Sequence, residues 1–511
     1  MLINQKINQS RVCFMLYFLL WFTVLFGGVN PAVTGAMAAD NWGTASSALK
    51  KSGAGQKTIP PLLLKDVFKA ADRYTPDVQM GIANRRAASG MEQAALGQFD
   101  MQLSSGLRSR ATGYYSGTAL ETGLSQNLRQ FGGKIYSEYR LSDGRFPIYE
   151  DKYYTDTLGE VKVGALFSLL RDRDIDKNRF DIRDRSLATQ QTDFDLLLTR
   201  IDIQQQAGTA YWRWVMAGYQ KRVYERLLAI AEIRQKALQR QVDQGAVADI
   251  YLLENQQNLM RRQGLLAAAK QRLQRAAIQL GYFLRSSDSQ MRIPDEQELP
   301  SDRVLKSMMT PPDSIHQRGI DMADVLMDRP ELKRLKLAIE RLNGQVALRK
   351  NDLAPQLDVS LEVSRDFGAF AEGGPSRGTF DTVVGVRFSV PLGRNTAKGK
   401  LSAARAKRAA LQAKERMLGE KITMELQKIL VDLTTSAQLV SLAEQEAKQS
   451  KAMEKAERKR FENGASDFFL LNIREETAAS AEIKEITAQL TYQAAVMNYY
   501  AATMNLTKLG L

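Results

Sequence analysis

Polar and apolar residues alternate along four segments of roughly ten residues each. They are 99–108, 160–168, 356–366 and 380–390. A period of two places neighbouring side chains on opposite faces, so each segment is predicted to be a β-strand with one apolar and one polar face. This pattern also fits a soluble sheet with one wet face. Strands of this length, however, can cross an outer membrane when tilted, and the polar faces would then line a barrel lumen. Four charged residues are predicted to face this lumen: Asp358, Glu362, Asp381 and Arg387.

Between the alternating segments the apolar period becomes helical. All prolines lie outside two blocks, 148–293 and 392–511, so very long helices can form there. The second block repeats apolar residues in steps of three, four and seven, which is typical of a coiled-coil seam: Ile422, Leu426, Ile429, Leu433 and Val440. Helices of this length reach about 100 Å, so they are predicted to form antiparallel hairpins in an elongated bundle or tube. The hairpins would turn at Gly245 and Gly464 and return through 247–284 and 466–506.

The chain carries this arrangement twice. The strand-like segment 163–168 recurs 221 residues later, and Gly245 recurs as Gly464 after 219 residues. The first repeat is predicted over 62–285, a connector over 286–328 and the second repeat over 329–511. The first repeat has an extra hairpin at about 113–150, with strands at 119–128 and 134–141.

Each repeat therefore supplies two barrel strands, or four per chain. The smallest membrane barrels need eight strands, and open sheet edges are not viable in lipid. The predicted fold is α+β, with a β-barrel completed by other copies of the chain and continued by a helical barrel.

The N-terminus reads as an export signal. Lys6 and Arg11 precede an apolar run from Phe14 to Phe26, and Ala36-Met37-Ala38 offers a cleavage site. Residues 1–38 are therefore predicted to be a signal peptide and 39–61 an N-terminal extension. The only cysteine, Cys13, lies in the signal, so the mature chain has no disulfide.

The remaining composition points away from catalysis and cofactors. His316 is the only histidine, so no catalytic triad or transition-metal cluster can be assembled from the usual residues. We predict no catalytic residue, no cofactor and no metal, and hence no enzyme. The net charge of +14 has no nucleic-acid-binding motif beside it, so we expect a basic solvated surface and no nucleic-acid partner.

The order of elements, together with three short motifs, resembles the TolC-type outer membrane efflux proteins. The motifs are Arg329-Pro330-Glu331-Leu332, Phe388-Ser389-Val390-Pro391-Leu392 and Phe461-Glu462-Asn463-Gly464-Ala465-Ser466. The resemblance extends from about residue 60 to residue 506.

The resemblance implies a homotrimer with a shared twelve-stranded barrel in the outer membrane of a Gram-negative bacterium. It implies a passive exit duct for efflux or type I-like secretion. Its partners would be outer-membrane lipid, a periplasmic adaptor (membrane fusion) protein and an inner-membrane transporter of the ABC, RND or a similar class.

Within that family the helix turns form the tip that meets the adaptor. The matching residues are Gly245, Ala246, Val247, Gly464, Ala465 and Ser466. A tight reversal after a helix also needs glycine for conformational reasons, so both explanations stay open.

The chain departs from the family at the periplasmic gate. Where members carry an arginine two places after the second-turn glycine, this chain has Ser466, and Leu470 and Ile473 replace the later aspartates. Asp249 and Asp467 are the local candidates for a charged constriction, although a helix N-terminus favours aspartate for structural reasons too.

A structural protein is the rival interpretation of the whole chain. A periplasmic coiled-coil spacer or adaptor without a barrel would explain the helices, but it needs no apolar stripe on four strands.

Overall fold

The computed structural model describes residues 60–147, 153–304, 322–370 and 379–511. The predicted signal peptide 1–38 with Cys13, almost all of the extension 39–61, and His316 in the connector lie outside the described residues. Among those that are described, no helix combines the length and apolarity that a membrane span requires.

Eight helices and six strands form the described chain. The helices are α1 Leu64–Tyr74, α2 Pro76–Leu96, α3 Lys177–Asp243, α4 Asp249–Gly281, α5 Met322–Asp328, α6 Pro330–Asn351, α7 Asn395–Glu462 and α8 Phe468–Ala502. The strands are β1 Gln102–Arg110, β2 Gly117–Asn127, β3 Lys134–Gly144, β4 Glu160–Ser168, β5 Gln356–Asp366 and β6 Asp381–Ser389.

Both repeats begin alike, because Pro76 and Pro330 each occupy the first turn of a helix that leads into the sheet. Proline suits this place because its missing N–H would have no partner there. The long helices α3 and α7 contain 67 and 68 residues. Each therefore extends over about 100 Å. The predicted seam of α7 faces inward, with Ile422, Leu426 and Leu433 buried.

The six strands form a single antiparallel sheet in chain order, from β1 to β6. The sheet therefore contains six strands of the chain instead of the predicted four, because it includes the predicted extra hairpin. Strands β2 and β3 are that hairpin, and they lie inside the sheet between β1 and β4. The first strand also starts later than predicted, since Phe99 is the buried last residue of a 3₁₀ turn that follows α2.

The helices continue the order of the strands. Near the sheet α3 packs between α2 and α6, and α6 packs on α7; toward the turns α3 packs between α4 and α8, and α8 packs on α7. Halfway along, α3 is enclosed on most sides: Tyr211, Trp212, Trp214 and Val215 are buried, and only Arg213 among them is exposed. A helix buried around most of its circumference belongs to a core, so this segment anchors the bundle.

Candidate functional site

The polar face of the sheet carries an ion cluster centred on Arg140 of β3. Its guanidinium donates to Glu121 of β2 at 3.1 Å, to Glu138 at 2.8 Å and to Glu160 of β4 at 3.1 Å. Arg140 is only 13% exposed, and opposite charges at these distances satisfy it. The cluster ties three neighbouring strands together on one face.

The four residues predicted to face the lumen share this face. Asp358 lies directly opposite Arg387 in the register of β5 and β6. Asp358 is buried and accepts a hydrogen bond from the Ser168 hydroxyl at 2.9 Å, whereas Asp381 and Arg387 are exposed. The carboxylate of Glu362 accepts a hydrogen bond from the Tyr136 hydroxyl, with 2.5 Å between the two oxygen atoms.

The two helix turns at the far end have the same backbone geometry. In the first, Gly245 N–H donates to the carbonyl of Val242 and Ala246 N–H to that of Gln241, both at 2.8 Å. In the second, Gly464 N–H donates to Phe461 at 3.0 Å and Ala465 N–H to Arg460 at 2.8 Å. This paired bonding is the Schellman helix end, which requires a residue with positive φ. Gly245 and Gly464 supply it, with φ of 68° and 71°.

The turn residues predicted to meet a partner lie at the surface. Gly245, Ala246, Gly464 and Ala465 are exposed, whereas Val247 and Ser466 are half-buried. A side chain added at either glycine would meet no atom of this chain within 4 Å. The glycines are therefore required by backbone conformation rather than by close packing.

The two aspartates predicted as a constriction occupy unequal places. Asp467 precedes α8, and its carboxylate accepts the N–H of Leu470 at 2.6 Å as a helix cap. Asp249 is the first residue of α4, whose preceding residue, Ala248, makes no side-chain cap. Asp467 therefore has a capping role that Asp249 lacks.

A buried ion cluster joins all four long helices above these turns. The carboxylate of Glu475 in α8 accepts from Arg262 of α4 at 3.0 Å and from Arg458 of α7 at 3.4 Å, and Arg234 of α3 is a third partner. Glu475 and Arg262 are each 1% exposed. Burial lowers the pKa of the Arg262 guanidinium, although its hydrogen bond to Glu475 acts in the opposite direction.

Sequence reasoning missed this cluster, although a signal exists. Glu475 follows Phe468 and Leu471 at core spacing and precedes Ala478, so a charge occupies a seam position of α8. Arg262 likewise continues the buried stripe of Leu266 and Ala269 in α4. A charged residue on a seam marks a buried partner in another helix.

Apolar stripes remain exposed on the two outer helices of the lower bundle. On α7, Leu439, Leu442 and Met453 are 51%, 61% and 49% exposed. On α4, Ile250, Leu253 and Met260 are each more than 60% exposed. In the described chain these stripes face away from the neighbouring helices α8 and α3, so each outer helix has a seam ready for another helix.

The chain was compared with known families and structures. A family model described as outer membrane efflux protein matches residues 322–503. The predicted resemblance is thereby confirmed, and so is the outer-membrane location at the level of this family. Among curated proteins none matches significantly.

Solved structures share the fold over most of the chain. The outer-membrane channel OprN is 15% identical, with a TM-score of 0.60, covering 86% of this chain and 89% of its own. The Campylobacter jejuni CmeC outer membrane channel is 12% identical, with a TM-score of 0.60, covering 93% and 98%. The open state of the Neisseria gonorrhoeae MtrE outer membrane channel is 15% identical, with a TM-score of 0.59, covering 86% and 88%. At these identities the likeness concerns the fold, which also extends over the first repeat.

Proposed function

We propose that this chain forms a trimeric exit duct in the outer membrane and that cargo passes through it without chemical change. The observation that carries the proposal is one amphipathic sheet joined directly to helices of about 100 Å. Its apolar face suits lipid and its polar face suits a water-filled lumen, while the helices are long enough to extend far into the periplasm.

The open edges and outer seams support assembly from several copies. Strands β1 and β6 each have one edge without a strand partner in the described chain. Unpaired backbone groups are costly in lipid, so both edges need another copy. The exposed stripes of α4 and α7 lie on the corresponding sides of the bundle, and one would pack against the other in the next copy.

The duct would work with a periplasmic adaptor protein and an inner-membrane transporter of the ABC, RND or a similar class. The turns at Gly245–Val247 and Gly464–Ser466 would dock the adaptor, since they are exposed at the end farthest from the sheet. Asp249 and Asp467 are proposed to narrow the opening there, and the polar face with Asp358, Glu362, Asp381 and Arg387 would line the lumen.

Fractionation of cells that produce the protein tests the duct itself. We expect the chain in detergent extracts of the outer membrane, as a trimer on native gels, with ion conductance in planar bilayers. Recovery as a soluble periplasmic protein would instead support the structural-spacer interpretation. An oligomer in the membrane without conductance would contradict the duct and leave the location intact.

A separate variant tests docking at the turns. Changes at Gly245 or Gly464 combine lost docking with a strained backbone, so the neighbouring exposed alanines give the cleaner test. We expect Ala246→Trp with Ala465→Trp to lose export while trimer yield and conductance stay unchanged. Unimpaired export in the double variant would contradict docking at these turns.

A further inference from the structure

We propose that the hairpin β2–β3 is part of the barrel wall and that three copies of this chain close a barrel of eighteen strands. In that barrel β1 of one copy pairs with β6 of the next. The strand count rests on the proposed trimer, and each copy contributes the six strands of its sheet.

The hairpin is continuous with the wall on both faces. Its register places Thr122 beside Ser105 of β1 and Ser137 beside Val163 of β4. Apolar residues of the hairpin therefore join the apolar face of the other strands. They are Leu120, Leu124, Ile135 and Leu141. A one-residue slip would reverse both faces, so this agreement across two junctions indicates a fitted wall segment.

Polar contacts cross the hairpin into the second repeat. Arg140 in β3 connects Glu121 in β2 to Glu160 in β4. Tyr136 in β3 donates its hydroxyl proton to Glu362 in β5, two strands away. The Lys162 ammonium group of β4, which lies between them, is 3.9 Å from the same carboxylate. The hairpin thus shares one polar surface with the strands on both sides of it, as a wall segment must and a surface loop need not.

The two open edges match each other. Strands β1 and β6 both contain nine residues and run in opposite directions. Aligning Gln102 with Ser389 pairs them over their full length. This alignment sets Leu103 opposite Phe388 and Leu107 opposite Val384 on the apolar face. On the polar face it sets Arg110 opposite Asp381, so both the faces and the charges agree.

The same alignment gives a reasonable barrel. Following the register from Gln102 through Ser125, Tyr136, Gly164 and Glu362 ends at Val383, six residues short of Ser389. A stagger of six residues at about 3.3 Å each, across six strands spaced about 4.8 Å, corresponds to a tilt of about 35°. Known barrels tilt by about 35° to 45°.

The inserted pair widens the duct without breaking its closure. With two extra strands the edge strands β1 and β6 still run in opposite directions, so they can pair as antiparallel strands between copies. A single extra strand would make the two edge strands parallel. At this tilt and spacing, eighteen strands give a backbone radius of about 17 Å, against about 11 Å for twelve. The cross-section inside the backbone is then roughly doubled.

Disulfide trapping in the membrane-embedded protein tests the wall. The pairs Ser105→Cys with Thr122→Cys and Ser137→Cys with Val163→Cys should form within one chain, since they are register partners. The pair Ser105→Cys with Val386→Cys should instead link neighbouring copies into a covalent trimer. Its control is Ser105→Cys with Thr382→Cys, on the same face but about 13 Å farther along β6, which should stay unlinked.

Electron cryomicroscopy of the purified trimer then counts the strands, and eighteen is the expected number. A trimer with twelve strands, or a disulfide between Ser105→Cys and Val163→Cys, would show β1 beside β4 and overturn the wall hairpin while leaving the duct intact. A monomer outside the membrane would overturn the duct itself, and the strand count would fall with it.

Discussion

The two repeats are alike at the helix turns and different at the sheet. At the turns the repeats share the same pair of backbone hydrogen bonds, around Gly245 and Gly464. Their long helices differ by one residue, 67 against 68. At the sheet the first repeat contributes four strands and the second only two.

The physics of the two elements explains the difference. One residue added to a helix rotates everything beyond it by about 100°, which would turn a buried seam toward solvent. A hairpin added to an antiparallel sheet extends the sheet and leaves the direction of its neighbours unchanged. Change is therefore easier to accommodate in the wall than in the tube.

Loss of the buried Glu475 cluster near the turns should destabilise the protein more than any other change considered. Glu475→Ala leaves Arg262 and Arg234 buried without their carboxylate, which should destabilise the bundle by about 3 to 5 kcal/mol. Chemical unfolding of the purified protein, followed by helical circular dichroism, would measure it. Protection of α8 amides from hydrogen exchange should fall in parallel.

Glu482→Ala is the matched control for this variant. It removes a carboxylate two turns farther along α8, where its partner Arg226 is 57% exposed. An exposed pair contributes less than about 1 kcal/mol. Equal losses in the two variants would contradict the view that burial gives the Glu475 cluster its importance.

The next prediction compares a charge placed on the apolar face of β2 with the same charge on its polar face. Thr122→Arg puts a charge on the apolar face in the middle of β2, and we expect a loss of about 2 to 4 kcal/mol if that face meets lipid. Ser125→Arg, three residues away on the polar face, should cost about 1 kcal/mol or less. Refolding into lipid vesicles measures both. Similar small losses would indicate that the hairpin lies outside the membrane wall.

Much of this arrangement could be predicted from the sequence. The period of two around Val359 and the heptad seam around Leu426 depend only on local spacing, so strands and long helices were found at nearly their observed places. The position of the β2–β3 hairpin could not be predicted this way. Strand order depends on hydrogen bonds between distant segments, and the duplication matched only two strands in each repeat, so the hairpin was counted as an addition.

The ion cluster and the difference in helix capping could not be predicted from the sequence for another reason. A charge at a seam position, such as Glu475, is ambiguous until its partners Arg234 and Arg262 are known, and these come from other helices. Similarly, Asp249 and Asp467 look equivalent beside their turns. Only the backbone shows that they occupy different helix positions.

The third prediction tests whether both turns require a residue with positive φ. Gly464→Ala and Gly245→Ala should each cost about 1 to 2 kcal/mol, because alanine disfavours a positive φ. Gly419→Ala is the control, since it lies within α7 and a side chain there meets nothing of this chain within 4 Å. It should stabilise by roughly 0.5 to 1 kcal/mol. Denaturant midpoints distinguish the opposite signs. A stabilising Gly464→Ala would contradict the left-handed helix end.

The smallest expected difference is between the aspartates that follow the two turns. Asp467→Ala removes the cap of α8 and should cost about 1 kcal/mol, whereas Asp249→Ala loses only a favourable charge at the start of α4, about 0.3 kcal/mol. Asp467→Asn, which keeps a capping oxygen, should recover most of the loss because asparagine caps as well as aspartate.

If both aspartates instead form the proposed constriction, single-channel conductance should change in both alanine variants and in Asp467→Asn, whatever the stability. Stability that falls while conductance stays constant would assign Asp467 to the helix rather than to the gate.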